Sequence, residues 1–129
     1  GVHMFMLKLA TGYSMYFNNR NNRTGALFQG KFKSQHANSD EYLKYIFSYI
    51  HLNPLKLIDS EWKEKGLRNL LGGEAYLNDY RFSSYLDFQK GNRIESGILD
   101  TSAFPEYFPT KDSFMKEIQE WMNLKDFTH

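Results

Sequence analysis

Between residues 5 and 17, Met6, Leu9, Ala10, Tyr13, Tyr16 and Phe17 recur at three- and four-residue intervals, which predicts an amphipathic helix with one buried stripe. The next stretch, Asn18-Asn19-Arg20-Asn21-Asn22-Arg23-Thr24-Gly25, reads as a loop, because Asn and Gly favour turns and left-handed backbone. The period then changes. From residue 26 to 36, Leu27, Gln29, Lys31, Lys33 and Gln35 alternate with Phe28, Gly30, Phe32 and Ser34, the pattern of a strand or hairpin arm with one apolar and one basic face. Gly30 marks a bulge or a close backbone approach within it.

Ser39, followed by Asp40 and Glu41, supplies a cap and first-turn carboxylates for a second helix. It is expected to run to about Asn53, because Pro54 disfavours helical geometry in the residue before it. This helix carries two stripes. Leu43, Ile46, Phe47 and Ile50 lie on one face and account for core packing, while Tyr42, Tyr45 and Tyr49 share another. Asn53 follows Tyr49 by one turn, so its amide neighbours that hydroxyl if the helix persists so far. Helical tyrosines ordinarily pack their rings and leave the hydroxyl at water, and an Asn before Pro ordinarily ends a helix, so periodicity alone does not identify a site.

Beyond Pro54 the pattern weakens: residues 61–71 suggest a helix, Gly72-Gly73 a break, and residues 82–89 a short helix introduced by Asp79-Tyr80. At the end, Thr110 caps a helix in which Phe114, Ile118, Trp121 and Met122 share one face. Before it, Phe104-Pro105-Glu106-Tyr107-Phe108-Pro109 reads as a rigid aromatic turn that docks this helix.

At 129 residues, 41% hydrophobic and 24% charged, the chain is one ordinary globular domain or most of one. It has no Cys, hence no disulfide and no thiolate metal site, and a cytoplasmic location is expected. No apolar run approaches the ~18 residues that span a bilayer, so no membrane partner is expected. The net charge of +1 is unevenly spread: up to Ser60, seven Lys and Arg against three Asp and Glu leave +4, and the remainder carries −3. A basic front half is compatible with a nucleic-acid face. Lys31 and Lys33 on one side of the expected strand, with Arg20 and Arg23 on the loop before it, form a plausible phosphate-tracking edge; the alternative is a charged strand that resists edge pairing. Phe28, Phe32 and Tyr16 suit either base stacking or core packing.

Four blocks carry a resemblance. Thr11-Gly12-Tyr13-Ser14-Met15-Tyr16-Phe17-Asn18, Gly25-Ala26-Leu27-Phe28-Gln29-Gly30-Lys31-Phe32-Lys33, Tyr49-Ile50-His51-Leu52-Asn53-Pro54 and Tyr80-Arg81-Phe82-Ser83-Ser84-Tyr85 together resemble the REP-associated tyrosine transposases, relatives of the small insertion-sequence transposases. The order and spacing of the blocks make the set more specific than any one of them.

The resemblance implies that Tyr49 is the nucleophile, attacking a phosphodiester of single-stranded or hairpin DNA to give a 5′-phosphotyrosine and a free 3′-hydroxyl. It implies a Mg²⁺ or Mn²⁺ ion held by a His-hydrophobic-His strand, with Asn53 as a further ligand. This sequence has no such pair: His3, His36, His51 and His129 are isolated. His51 lies two residues from Tyr49, too few to share its face, and reads as an ordinary helix-end histidine, while His36 ends the basic strand.

The expectation is therefore a C-terminal part of the catalytic domain over residues 5–90, with a helical extension over 91–129, and Gly1-Val2-His3-Met4 set aside as resembling a tag remnant. By itself such a piece should bind no ion and be inactive. The implied fold is α+β, mostly helical as given, with one or two strands left from a transposase-type sheet. An exposed strand edge would be covered by pairing into a homodimer. A non-catalytic module that recognises repeat hairpins, and a helical interaction domain without a DNA role, are the competing readings.

Overall fold

The computed structural model describes residues 1–103 and 106–124, and these divide into two compact units, residues 1–36 and 37–129. Phe104 and Pro105 of the expected aromatic turn lie outside the described residues.

In the first unit, α1 spans Val2–Arg20, so it begins before residue 5 and takes in the first turn of the expected loop. Its end is closed locally: the Asn21 side chain donates to the Phe17 carbonyl at 2.9 Å, and Asn22 takes the left-handed conformation with φ 49°. The expected buried stripe is not realised, since no residue of α1 is buried; Met6, Ala10, Ser14 and Phe17 are half-buried.

Residues 26–36 form no strand, and no strand or sheet occurs among the described residues, which makes the fold all-α rather than α+β. Alternation of side chains is necessary for a strand but not sufficient, because the backbone groups need a partner strand to pair with. Gly25 and Gly30, at φ 92° and 77°, also turn the chain out of extended geometry. The segment lies along α1 instead, with Phe28 6.3 Å from Tyr13 and Phe32 5.7 Å from His3 between ring centroids. The homodimer expected from edge pairing loses its stated basis with the strand.

The second unit holds the core: Phe47, Leu52, Leu55, Trp62, Leu77, Tyr85, Phe114, Ile118 and Met122. Helix α2 covers Asp40–Leu52 and is capped as expected, the Ser39 hydroxyl accepting from the Tyr42 N–H at 3.2 Å. Pro54 ends the α-helix but not the helical path. Asn53 keeps right-handed helical angles, φ −55° and ψ −33°, and opens a 3₁₀ turn over Asn53–Leu57 in which Pro54 sits near the start, where its missing N–H costs nothing.

The buried face of α2 is rotated from the expected stripe. Phe47, Ser48, His51 and Leu52 are buried, Leu43 and Ile46 are half-buried, and Ile50 is 58% exposed.

Helix α3 is the single turn Trp62–Lys65, and α4 runs through Gly72-Gly73 over Leu70–Asp79. The paired glycines are not a break. A Cβ on Gly73 would come 2.2 Å from Leu67 Cδ2 and 3.3 Å from Leu55 Cδ2, so the missing side chain lets α4 approach its neighbours. Helix α5 covers Tyr85–Lys90, with Phe82 left 78% exposed before it. Helix α6 covers Lys111–Asn123, packs on α2 and α5, and buries Phe114, Ile118 and Met122 as its spacing predicts, with Trp121 partly buried.

The Thr110 hydroxyl accepts from the Ser113 N–H at 3.1 Å, and the Ser113 hydroxyl accepts from the Thr110 N–H at 3.2 Å in return. Thr110→Ala removes the acceptor and is expected to cost about 1 kcal/mol, read as a lower midpoint in urea with an unchanged slope.

Candidate active site

The second face of α2 forms a ladder of rings. Tyr42 and Tyr45 stack at 6.2 Å, Tyr45 and Tyr49 at 6.0 Å, and Tyr45 meets the edge of Trp121 on α6 at 5.6 Å. Tyr45 and Tyr49 are partly buried against the core, which holds the position of the Tyr49 phenol.

The Tyr49 hydroxyl accepts a hydrogen bond from the ammonium of Lys63, on α3, and the same ammonium lies 3.9 Å from the centre of the Tyr49 ring. Sequence reasoning missed Lys63. It lies fourteen residues from Tyr49 beyond a 3₁₀ turn, and no periodicity links the two.

Asn53 is exposed and lines a cleft of about 520 Å³ together with Lys56, Tyr80, Ser83 and Ser84. Its N–H donates to the Tyr49 carbonyl, so the one-turn spacing between the two residues is kept. Tyr49 does not line this cleft; its oxygen is directed to Lys63.

His51 is more than a helix-end residue. It is 2% exposed, with Nδ1 2.7 Å from the Phe47 carbonyl and Nε2 2.7 Å from the Ser84 hydroxyl. A carbonyl only accepts, so Nδ1 carries the proton and the neutral ring accepts the Ser84 hydroxyl hydrogen at Nε2. Burial pushes the His51 pKa below its ordinary value, against weaker opposing pulls from the Phe47 carbonyl and the Asp87 charge.

The loop that carries Ser84 is clamped by Arg93, whose guanidinium donates to both Asp87 carboxylate oxygens at 2.9 and 2.7 Å and to the Arg81 carbonyl at 2.6 Å. These hydrogen bonds from Arg93 hold the Asp87 carboxyl below the usual carboxylate range. Ser84, in the last sequence block, thus has a physical use, holding the His51 ring near the C-terminal end of α2.

The four basic candidates belong to the first unit, where residues 1–36 hold Lys8, Arg20, Arg23, Lys31 and Lys33 and no Asp or Glu. Lys31 and Lys33 are exposed, and so is Arg20, which donates to the Tyr16 hydroxyl at 3.0 Å. Arg23 is half-buried and works as a clip: it donates to Asn18 Oδ1 at 2.9 Å and lies 5.8 Å from the Phe17 ring centre. Tyr16 and Phe28 are 57% and 51% exposed, so core packing does not account for them within their unit.

The residues around Asn53 do not fit a divalent cation. The side chains that line its cleft offer one neutral amide oxygen, the hydroxyls of Tyr80, Ser83 and Ser84 and the Lys56 ammonium, with no carboxylate or imidazole, and among the described residues no three His, Cys, Asp or Glu gather in a set able to hold a metal.

No helix among the described residues is long and apolar enough to cross a membrane. Compared with protein families, curated proteins and solved structures, the chain matches none significantly.

Proposed function

We propose that the chain acts on single-stranded or hairpin DNA, with Tyr49 as the nucleophile of a cleavage and rejoining reaction. The observation that carries this reading is the end of α2. There a partly buried phenol has the Lys63 ammonium on its hydroxyl, and one turn later Asn53 lines a cleft that Lys56 also lines. A phosphodiester bears a negative charge that grows on attack, and cations beside a hydroxyl nucleophile are the groups that attack requires.

The phenoxide oxygen of Tyr49 bonds to phosphorus as the bond from phosphorus to the 3′-oxygen breaks, and that oxygen leaves as a 3′-hydroxyl after taking a proton from water. Arg20, Lys31 and Lys33 serve as phosphate contacts, and the exposed Tyr16 and Phe28 as stacking faces for unpaired bases. Arg23 contributes by fixing the loop between them. With no cysteine the chain suits a reducing compartment, and we place its work in the cytoplasm.

The test is incubation of the protein, with a His-hydrophobic-His strand present, with end-labelled hairpin oligonucleotides in Mg²⁺ or Mn²⁺, scored for a DNA adduct that survives detergent; the chain without such a strand is expected to bind DNA and form no adduct. With the strand, the expected result is an adduct that Tyr49→Phe abolishes while leaving binding unchanged and steeply salt-dependent. Salt-dependent binding with no adduct would instead support a non-catalytic DNA-binding module. That second reading is favoured by one observation, the separation of the Tyr49 oxygen from the cleft that Asn53 lines. Absence of salt-dependent binding would overturn both.

A further inference from the structure

We propose that Lys63 is the charge partner of the Tyr49 oxygen, a catalytic residue that stabilises the phenoxide both when it attacks and when it leaves. The proposal deepens the reading of Tyr49 as a nucleophile and rests on it for the reaction with DNA, but its physical core is a property of the folded chain alone.

Three observations carry it. The Lys63 ammonium donates to the Tyr49 hydroxyl oxygen, the atom that carries the charge when the phenol ionises or leaves phosphorus. Lys63 is half-buried, and its neighbour Trp62 is fully buried, so α3 is anchored and the ammonium is held rather than free to swing through solvent. Among the described residues, Lys63 forms no ion pair, while Lys65 on the same turn pairs with Glu61 at 2.8 Å. Among the described residues, the charge of Lys63 therefore meets a phenol and not a carboxylate. A lysine placed merely to keep the surface soluble has no reason to lie against a ring and its oxygen.

The role in each direction balances. In cleavage the phenol proton passes to solvent water, the phenoxide forms the new P–O bond, and the departing 3′-oxygen is protonated by water. In rejoining, the 3′-hydroxyl gives its proton to water as its oxygen bonds to phosphorus, and the bond from phosphorus to the tyrosine oxygen breaks, the phenoxide leaving and taking a proton from water. Because Lys63 is already the donor to that oxygen, it needs no movement to support the charge in either step, which is the condition for a preorganised electrostatic contribution. The amide of Asn53 lines a cleft that Tyr49 does not line, so the two residues are not interchangeable.

The test uses N-acetylimidazole, which acylates phenoxide oxygens, on the full chain at neutral pH, with the rate at each tyrosine read by peptide mass spectrometry. Tyr42, half-buried on the same helix, is the internal control. Tyr49 is expected to react severalfold faster than Tyr42, to fall to the Tyr42 rate in Lys63→Met, and to recover in Lys63→Arg, which keeps the charge. Circular dichroism confirms that each variant is folded, and Lys63→Gln replaces Lys63→Met if the latter is not. A Tyr49 rate that is unchanged or raised on loss of the ammonium overturns the proposal. The same variants, with the His-hydrophobic-His strand present, are then scored for DNA adducts: a slower adduct with unchanged DNA affinity supports the catalytic role, and an undiminished adduct rate overturns it. If the wild type forms no adduct while its Tyr49 reactivity follows Lys63, the cleavage reading and the catalytic role fall and the charge pairing stands.

Discussion

Phe114→Ala is expected to lower the stability of the second unit by about 3–5 kcal/mol, the cost of emptying a large aromatic site that cannot collapse. The ring is 1% exposed, with centroids of Tyr85, Phe88, His51, Phe47 and Phe108 at 5.6, 5.3, 5.6, 6.0 and 6.1 Å. These neighbours come from α2, α5 and the segment before α6, so the cavity would open where three separate parts of the chain meet. A domain of this size has a total stability of only about 5–15 kcal/mol, so the variant should be close to unfolding at room temperature. The check is thermal melting followed at 222 nm, where a loss of 3 kcal/mol corresponds to roughly 12–24 °C. Phe114→Leu, which keeps most of the volume, should lose much less. A melting point for Phe114→Ala close to that of the wild type would mean that the aromatic cluster is not the core.

What was legible in the sequence was what is decided locally. Ser39 and Thr110 act on backbone groups three residues away, and both caps are found where their side chains predict them. The apolar face of α6 was legible because, among the described residues, α6 buries one face, against α2 and α5. Residues 26–36 failed for the complementary reason. Their alternation describes the order of side chains, while a strand is defined by a partner that the segment itself does not contain.

Gly72-Gly73 misled because a glycine pair has two physical uses, a break or a close approach. Only the positions of Leu55 and Leu67 decide between them.

At the candidate site the same division holds. The tyrosine face and the spacing of Tyr49 to Asn53 follow from 3.6 residues per turn and survive in the structure. The rotation of the buried face toward Ser48 and His51 does not follow from α2, because it is set by what α5 and α6 present to it. Lys63 and Ser84 reach α2 from 14 and 33 residues away, which no window on the sequence detects.

The largest polar effect is expected at His51. Ser84→Ala leaves a buried ring nitrogen without its donor and should cost roughly 1–3 kcal/mol, against almost nothing for a serine replaced at the surface. The pair also makes stability depend on pH in a defined window. Burial holds the folded His51 pKa below the value of 6.5 that the ring has when exposed, with the Phe47 carbonyl and Asp87 opposing more weakly.

As the pH falls, the unfolded chain therefore binds this proton first. The stability contributed by neutral His51 is complete above about 6.5 and is lost as the pH falls through the folded value. Protonation would also turn Nε2 from acceptor to donor and force the Ser84 hydroxyl to reverse. The carboxylates held low by arginine, Asp59 and Asp87, act in a separate window, since their contribution is present above the ordinary carboxylate value and lost only at more acid pH.

Urea midpoints measured from pH 7.5 down to pH 5 should thus fall for the wild type and stay nearly level for His51→Gln, which begins less stable but has no proton to gain. A wild-type midpoint that is flat across this interval would mean that the buried imidazole does not sit in a neutral, desolvated site. An equal slope in His51→Gln would assign the pH dependence to other groups.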